Sequence, residues 1–172
     1  MEKDMITIID NVFMPHQMEA FKCRINTTHT TEFVSGFSSK PGEGFYSQDE
    51  EHRNQVMCNG ILKEINKYVP LDTSIGYEYW THVNTRPLDK HQDKDEVAYI
   101  TKGISRFPMC SSVYYLTVDS LVGGELVFDD VEISAVPNRL VIFKAGLEHF
   151  VRPFAGTRVS IAVNPWETKL YK

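Results

Sequence analysis

No stretch of this 172-residue chain approaches the roughly 18 consecutive apolar residues a membrane-spanning helix needs, so no membrane partner is expected. Its three cysteines, Cys23, Cys58 and Cys110, are far apart and form no CxxC pair. That argues against a disulfide framework and a thiolate zinc site, and leaves free thiols in a reducing compartment. Basic residues form no stripe: 18 Lys and Arg are scattered among 23 Asp and Glu, for a net charge of −5. A nucleic-acid partner, which needs clustered positive charge, is therefore not expected. The start, Met1-Glu2-Lys3-Asp4, lacks a basic segment followed by an apolar core, so no signal peptide is expected and a cytoplasmic location is. No repeat, low-complexity tract or linker divides the chain.

What remains has the balance of a soluble globular protein, 42% hydrophobic and 24% charged, at the size of one ordinary domain. Ile6-Thr7-Ile8-Ile9 is a short β-branched run suited to a first strand. A helix is predicted from Pro15 to about Asn26, with Met18, Phe21, Cys23 and Ile25 on its apolar face. Residues 27–49, rich in Thr, Ser and Gly, read as strand fragments and loop. Glu50 to Tyr68 is the best helix in the chain; Val56, Met57, Gly60, Ile61, Ile65 and Tyr68 share a stripe, and Pro70 closes it.

From Thr73 the pattern turns to β. Segments around Ile75–Trp80, then 109–118, 124–128, 131–135, 140–143, 150–152 and 158–164 are separated by Gly, Pro or Asp clusters. A spacing of about 8–12 residues suits an antiparallel sandwich or barrel. The expected architecture is mainly β (α+β): a double-stranded β-helix, jelly-roll or cupin-like, with two N-terminal helices packed on one sheet. It would form a single domain over 1–172, with 1–72 as a helical support region and 73–166 as the barrel core. The last segment alternates Arg158, Ser160 and Asn164 with Val159, Ile161 and Val163. Its polar face points either to water or into a site, and periodicity leaves both open.

The chemistry gathers at His91-Gln92-Asp93. In an extended segment side chains two apart leave the same face, so His91 and Asp93 can reach one ion, and His149 can join them from a distant strand. Two imidazoles and a carboxylate suit Fe(II), bound on one face with the other open. Alone the HxD is a weak sign, because a run as polar as residues 89–96 is more often a solvated loop. His16, His29 and His52 have no partner at ligand spacing and read as surface histidines.

The elements that follow sharpen the reading. In order they are Val113-Tyr114-Tyr115-Leu116, Gly123-Gly124-Glu125-Leu126-Val127-Phe128, Pro137 through Phe143, His149, and Gly156-Thr157-Arg158. With the HxD, this order over residues 79–166 resembles the 2-oxoglutarate/Fe(II)-dependent dioxygenases, particularly the prolyl 4-hydroxylase-like branch. The resemblance implies that His91, Asp93 and His149 bind iron. It implies that Arg158 holds the distal carboxylate of 2-oxoglutarate, helped by Tyr115 and, more remotely, Ser160. A guanidinium suits that task, since its planar fork meets a carboxylate bidentately. Tyr115 reads equally as a core aromatic, and Phe128 and Phe143 as core. Gly123-Gly124 reads as a turn rather than a phosphate cradle.

The implied cofactors are Fe(II), 2-oxoglutarate as cosubstrate, dioxygen and, optionally, ascorbate. The implied reaction is hydroxylation of a peptidyl proline in a protein or peptide, with release of succinate and carbon dioxide. The same chemistry on a free amino acid or small metabolite is an alternative. Two others are a non-catalytic cupin-like module binding metal or a small acid, and, more weakly, a zinc hydrolase.

Two departures lie where substrate would enter. Where many prolyl hydroxylases carry a tyrosine, this chain has Trp80-Thr81-His82-Val83-Asn84-Thr85-Arg86-Pro87, with His82 or Thr81 the nearest equivalent. Trp80, His82 and Arg86 are the expected substrate-side residues, with Tyr79, Phe107 and the loop 84–90 as further walls. After the HxD comes Lys94-Asp95-Glu96, where Asp95 either orients a ligand histidine or is solvated.

Overall fold

The computed structural model describes residues 5–25, 32–39, 54–84 and 87–171. Among them are nine strands and three helices, in the order β1 (Ile6–Asp10), α1 (Pro15–Arg24), β2 (Glu32–Ser39), α2 (Gln55–Ile65), β3 (Gly76–Val83), α3 (Glu96–Lys102), β4 (Ser111–Gly123), β5 (Leu126–Val127), β6 (Glu132–Ile133), β7 (Arg139–Phe143), β8 (Phe150–Val151) and β9 (Phe154–Trp166). A six-stranded sheet has the order β1-β7-β4-β9-β3-β2, and a three-stranded sheet the order β6-β5-β8. All of their pairings are antiparallel.

The large sheet sorts its side chains by the two-residue period of a strand. On one side Tyr77, Tyr79, Tyr114, Ile161 and Val163 join Met18 and Phe21 of α1 and Met57, Ile61 and Ile65 of α2 in one buried cluster. On the other, Tyr115, Val141 and Phe143 pack with Leu126, Ile133 and Val151 of the small sheet. Neighbours such as Tyr114 and Tyr115 thus belong to different cores. The site lies on the second side.

The turn expected at Gly123-Gly124 is present, with both glycines at positive φ, +81° and +78°. A Cβ on Gly123 would fall 2.2 Å from the Pro153 carbonyl oxygen, so only glycine lets these segments approach. The first strand and helix also lie where expected. The region 1–72 contributes more than helices, since β1 and β2 form the two edges of the large sheet.

The helix faces differ from expectation. Val56 (51% exposed) and Tyr68 (50%) stand in solvent, while Cys58 and Leu62 are buried. The helix turns the 57/58/61/62/65 side to the sheet, and Gly60 admits the Phe13 ring, 2.9 Å from where a Cβ would be. Residues 66–68 form turns, outside α2. On α1, Cys23 is exposed.

Helix α3 was not anticipated, and it gives Asp95 a role that is neither solvated charge nor support for a histidine. Asp95 Oδ1 accepts from Ala98 N at 2.9 Å, an N-cap, and Gly103 at φ +65° ends the helix. Asp95 Oδ2 accepts from Arg106 at 3.1 Å and from Tyr171 N at 3.0 Å, strapping the chain end to the start of α3. No helix among the described residues is long and apolar enough to cross a membrane.

Candidate metal centre

His91 and His149 meet through their backbones before their side chains. Each N–H donates to the other's carbonyl oxygen at 2.9 Å, forming a bridge just ahead of β8. Gln92 fastens the same segments with a bond from Nε2 to Gly146 O at 2.7 Å. The imidazole rings lie 4.4 Å apart, and Phe143 packs edge-on against His149 at 4.8 Å.

Each ring has its Nδ1 on a backbone carbonyl: His91 on Asp89 O at 2.7 Å, His149 on Leu147 O at 3.0 Å. A carbonyl only accepts, so Nδ1 carries the proton and Nε2 presents its lone pair. Both Nε2 atoms lie 3.6 Å from Asp93 Oδ1. One donor atom from each of the three residues lies within 4.8 Å of the others, the arrangement that could hold one metal ion.

The electrostatics suit a cation. Burial would raise the Asp93 carboxyl, but its contact with His91 and the field of His149 outweigh this and hold it below its ordinary value. Contact with Asp93 raises His91, and burial lowers His149.

From this centre a cavity of about 240 Å³ runs along the large sheet. Its floor is the polar face of β9, where Arg158, Ser160 and Ala162 line it; Asn164 is buried beyond them. The face whose direction the sequence left open therefore points inward. Strand register lays Tyr115, Ser160 and His82 side by side across β4, β9 and β3, with Val113, Ala162 and Trp80 in the next row. Leu126 and Val151 of the small sheet face them, and Leu88, Lys94 and Glu96 line the rim.

At the end away from the metal ligands sits Arg158, only 4% exposed. Its backbone N–H donates to Asn84 Oδ1, and its carbonyl accepts from Asn84 N, both at 2.9 Å. Its guanidinium lies over the Tyr115 ring, 5.2 Å from the centroid. Arg158 Nε and Tyr115 Oη are both buried without a hydrogen-bond partner. Leaving such atoms unmet is costly, so this end of the cavity fits an anionic guest. Burial raises the Tyr115 phenol, which stays a neutral donor. His82, lowered to about 4 by burial and by the Arg158 charge, is a neutral imidazole.

The structure thus brings together His91, Asp93, His149, Arg158, Ser160, Trp80 and His82, with the Tyr115 ring under Arg158. Arg86, His29 and His52 lie outside the described residues. Of the other expected walls, Tyr79 is not at the cavity: it has the opposite parity on β3 and is buried with the helices. Thr81 shares that parity, and its Oγ1 accepts from Asn54 at 2.6 Å, so His82 alone of that pair faces the site. Phe107 is half exposed, near Gly146, and does not line the cavity. Asn164, unassigned from sequence, holds Asp93: its Nδ2 donates to Asp93 Oδ2 at 2.9 Å.

No protein-family model matches the chain, and no curated protein matches it in sequence. Solved structures do match in shape. A prolyl-4-hydroxylase from Pseudomonas putida aligns with a TM-score of 0.61 at 17% identity, covering 95% of this chain and 93% of its own. A 2OG-Fe(II) oxygenase family oxidoreductase from Burkholderia pseudomallei aligns at 0.62 and 12% identity, covering 96% and 86%. A prolyl hydroxylase from Trichoplax adhaerens, solved with a hypoxia inducible factor oxygen degradation domain peptide, aligns at 0.59 and 13%, covering 94% and 83%. Over nearly its whole length, the chain has the fold of the prolyl hydroxylases and 2OG-Fe(II) oxygenases.

Proposed function

We propose that this protein is a 2-oxoglutarate- and Fe(II)-dependent dioxygenase that hydroxylates a peptidyl proline or similar substrate, releasing succinate and carbon dioxide. It is read as one domain, a double-stranded β-helix with two helices packed on its large sheet. The observation that carries the function is the pairing of opposite ends in one cavity: three metal-competent donors at one end, and a buried guanidinium beside a phenol, each with an unmet polar atom, at the other. A metal site alone has no use for Arg158. The peptide held by the Trichoplax neighbour supports a peptide substrate here.

In this reading His91, Asp93 and His149 hold the iron, while Arg158, Tyr115 and Ser160 hold the distal carboxylate of 2-oxoglutarate. Iron and cosubstrate supply the oxidising power. The chain's own work is placement and exclusion. Arg158 cannot lose its charge, and its fork fixes the carboxylate's distance and angle. Neutral His82 adds no second cation beside it. Val113, Leu126 and Val151 keep the cavity apolar between its ends. Trp80, His82 and Arg86 are assigned to the substrate side, and ascorbate would serve to keep iron reduced.

Purified protein given Fe(II), ascorbate and 2-oxoglutarate should release succinate slowly even without substrate, and His91→Ala should abolish this. Equal succinate from both would overturn the assignment. Proline-containing peptides and free amino acids, screened for a gain of one oxygen, separate the substrate classes.

A further inference from the structure

Asp93 has two carboxylate oxygens, and the structure treats them differently. Oδ1 faces the imidazoles, 3.6 Å from each Nε2. Oδ2 turns away and accepts from Asn164 Nδ2 at 2.9 Å. Asn164 is in turn fixed from behind, because its Oδ1 accepts from the backbone N–H of Ser112 at 2.9 Å. That second bond settles which way the amide points. Ser112 N–H needs an acceptor, so the amide oxygen faces β4 and the NH2 faces the carboxylate. Among side chains of this length asparagine alone offers both functions; leucine offers neither, and an ionised aspartate has no donor.

The surroundings are built for polarity. Glu78 stands opposite Asn164 across the β3–β9 pairing, and Trp166 lies two residues beyond Asn164 on the same face. Trp166 Nε1 lies beside Glu78 and Ser111 Oγ beside Asp93, buried polar atoms without a well-formed hydrogen bond. An apolar layer would be cheaper here, so polar groups retained in a largely buried row behind a metal ligand call for a role.

We propose that Asn164 is a positioning residue that confines Asp93 to ligation through one oxygen, keeping Oδ2 off the metal. The inference rests on the proposed metal site and adds a determinant to it. With one carboxylate oxygen withheld, three protein donors occupy three positions and the remaining ones stay open to cosubstrate and dioxygen. Without Asn164, Oδ2 loses its amide donor and can turn toward the metal beside Oδ1.

The test uses the full chain and Co(II), whose visible absorption reports coordination number, so it does not depend on turnover. Asn164→Ala should bind Co(II) about 10–100-fold more weakly, the usual effect of losing a residue that orients a metal ligand, with altered band intensities. Ser112→Ala is the structural control. It removes the 2.6 Å bond from Ser112 Oγ to Val163 O on the same strand pair and leaves the backbone N–H that holds Asn164. It should lower the apoprotein melting temperature and leave Co(II) affinity and spectrum unchanged. If Asn164→Ala does not fold, Asn164→Ser, a smaller loss that keeps a hydroxyl, takes its place with the same expected direction. Co(II) affinity within about threefold of wild type together with an unchanged spectrum would overturn the proposal and leave the metal site standing. Wild type that takes up no Co(II) would remove the metal site, and the proposal with it.

Discussion

His91 and His149 are hydrogen-bonded to each other through both backbones, N–H to carbonyl in each direction, at 2.9 Å. Two candidate ligands 58 positions apart in the chain are thereby set at a fixed separation by the main chain. Asp93 is set in place by side-chain bonds instead, one of them from Asn164.

At the far end of the cavity, the expectation concerns cosubstrate affinity. Hydrogen bonds to charged groups contribute about 1.5–3 kcal/mol, so Arg158→Ala should raise the KM for 2-oxoglutarate roughly 10–150-fold. Arg158→Lys keeps the charge but loses the fork, and should recover only part of this. Tyr115→Phe should cost about 1 kcal/mol of cosubstrate binding, under tenfold in KM. It should change the melting temperature of the apoprotein little, because Oη makes no well-formed hydrogen bond and has only Arg158 beside it. Succinate formation against 2-oxoglutarate concentration measures the first quantities, and thermal melting the last.

Asp95 should matter for stability although it touches no donor of the metal group. Its side chain caps α3, pairs with Arg106 and receives the Tyr171 backbone N–H. Loss of an N-cap alone costs about 0.5–2 kcal/mol, and the other two bonds about 1 kcal/mol each. Asp95→Ala is expected to destabilise by about 2–4 kcal/mol in denaturant unfolding. Asp95→Asn, which can still cap the helix, should cost less. An unchanged midpoint in both would contradict the strap.

Glu78 makes the stability of the fold depend on pH. Burial, then the nearby Asp93 charge, lift its pKa from 4.5 to about 8. Between these values the folded state holds a proton that the unfolded chain has lost, so stability falls as pH rises through that window. His82 acts the other way lower down. Its pKa drops from 6.5 to about 4, so stability falls as pH is lowered from 6.5 to 4. Above pH 6.5 the Glu78 effect is no longer opposed by His82. The metal-free protein should melt at a lower temperature at pH 8 than at pH 6.5, and Glu78→Gln should flatten that decline. An identical slope in the variant would rule Glu78 out as its source.

Much of this site was legible in the sequence because its key residues sit on strands or extended segments, where parity is readable. His91 and Asp93 two apart, and Arg158, Ser160 and Asn164 on alternate positions, are local patterns that survive folding. Parity was less informative on β3, since both of its faces are covered. Trp80 and His82 face the cavity while Tyr79 and Thr81 do not, and nothing local distinguishes them. The α2 stripe was misjudged at Val56 and Tyr68 because the sheet, not the helix, decides which of several apolar arcs is buried. Helix α3 was hidden by its brevity, seven residues, and by a start as polar as any loop. The role of Asn164 depends on Ser112 and Asp93, 52 and 71 positions away, which no local pattern reports.

Strand β9 has a consequence for how this protein can change. Arg158 and Ser160 line the cavity and Asn164 holds Asp93, while Val159, Ile161 and Val163 on the same strand fill the helix-side core. Both sets depend on a single phase, and slipping the strand by one residue would exchange them, putting valines in the cavity and a guanidinium under the helices. A one-residue insertion or deletion between 158 and 164 would therefore abolish fold and chemistry together. Inheritable variation at the site is channelled into side-chain exchange at fixed positions, and the strand's reading frame is protected by the core it also builds.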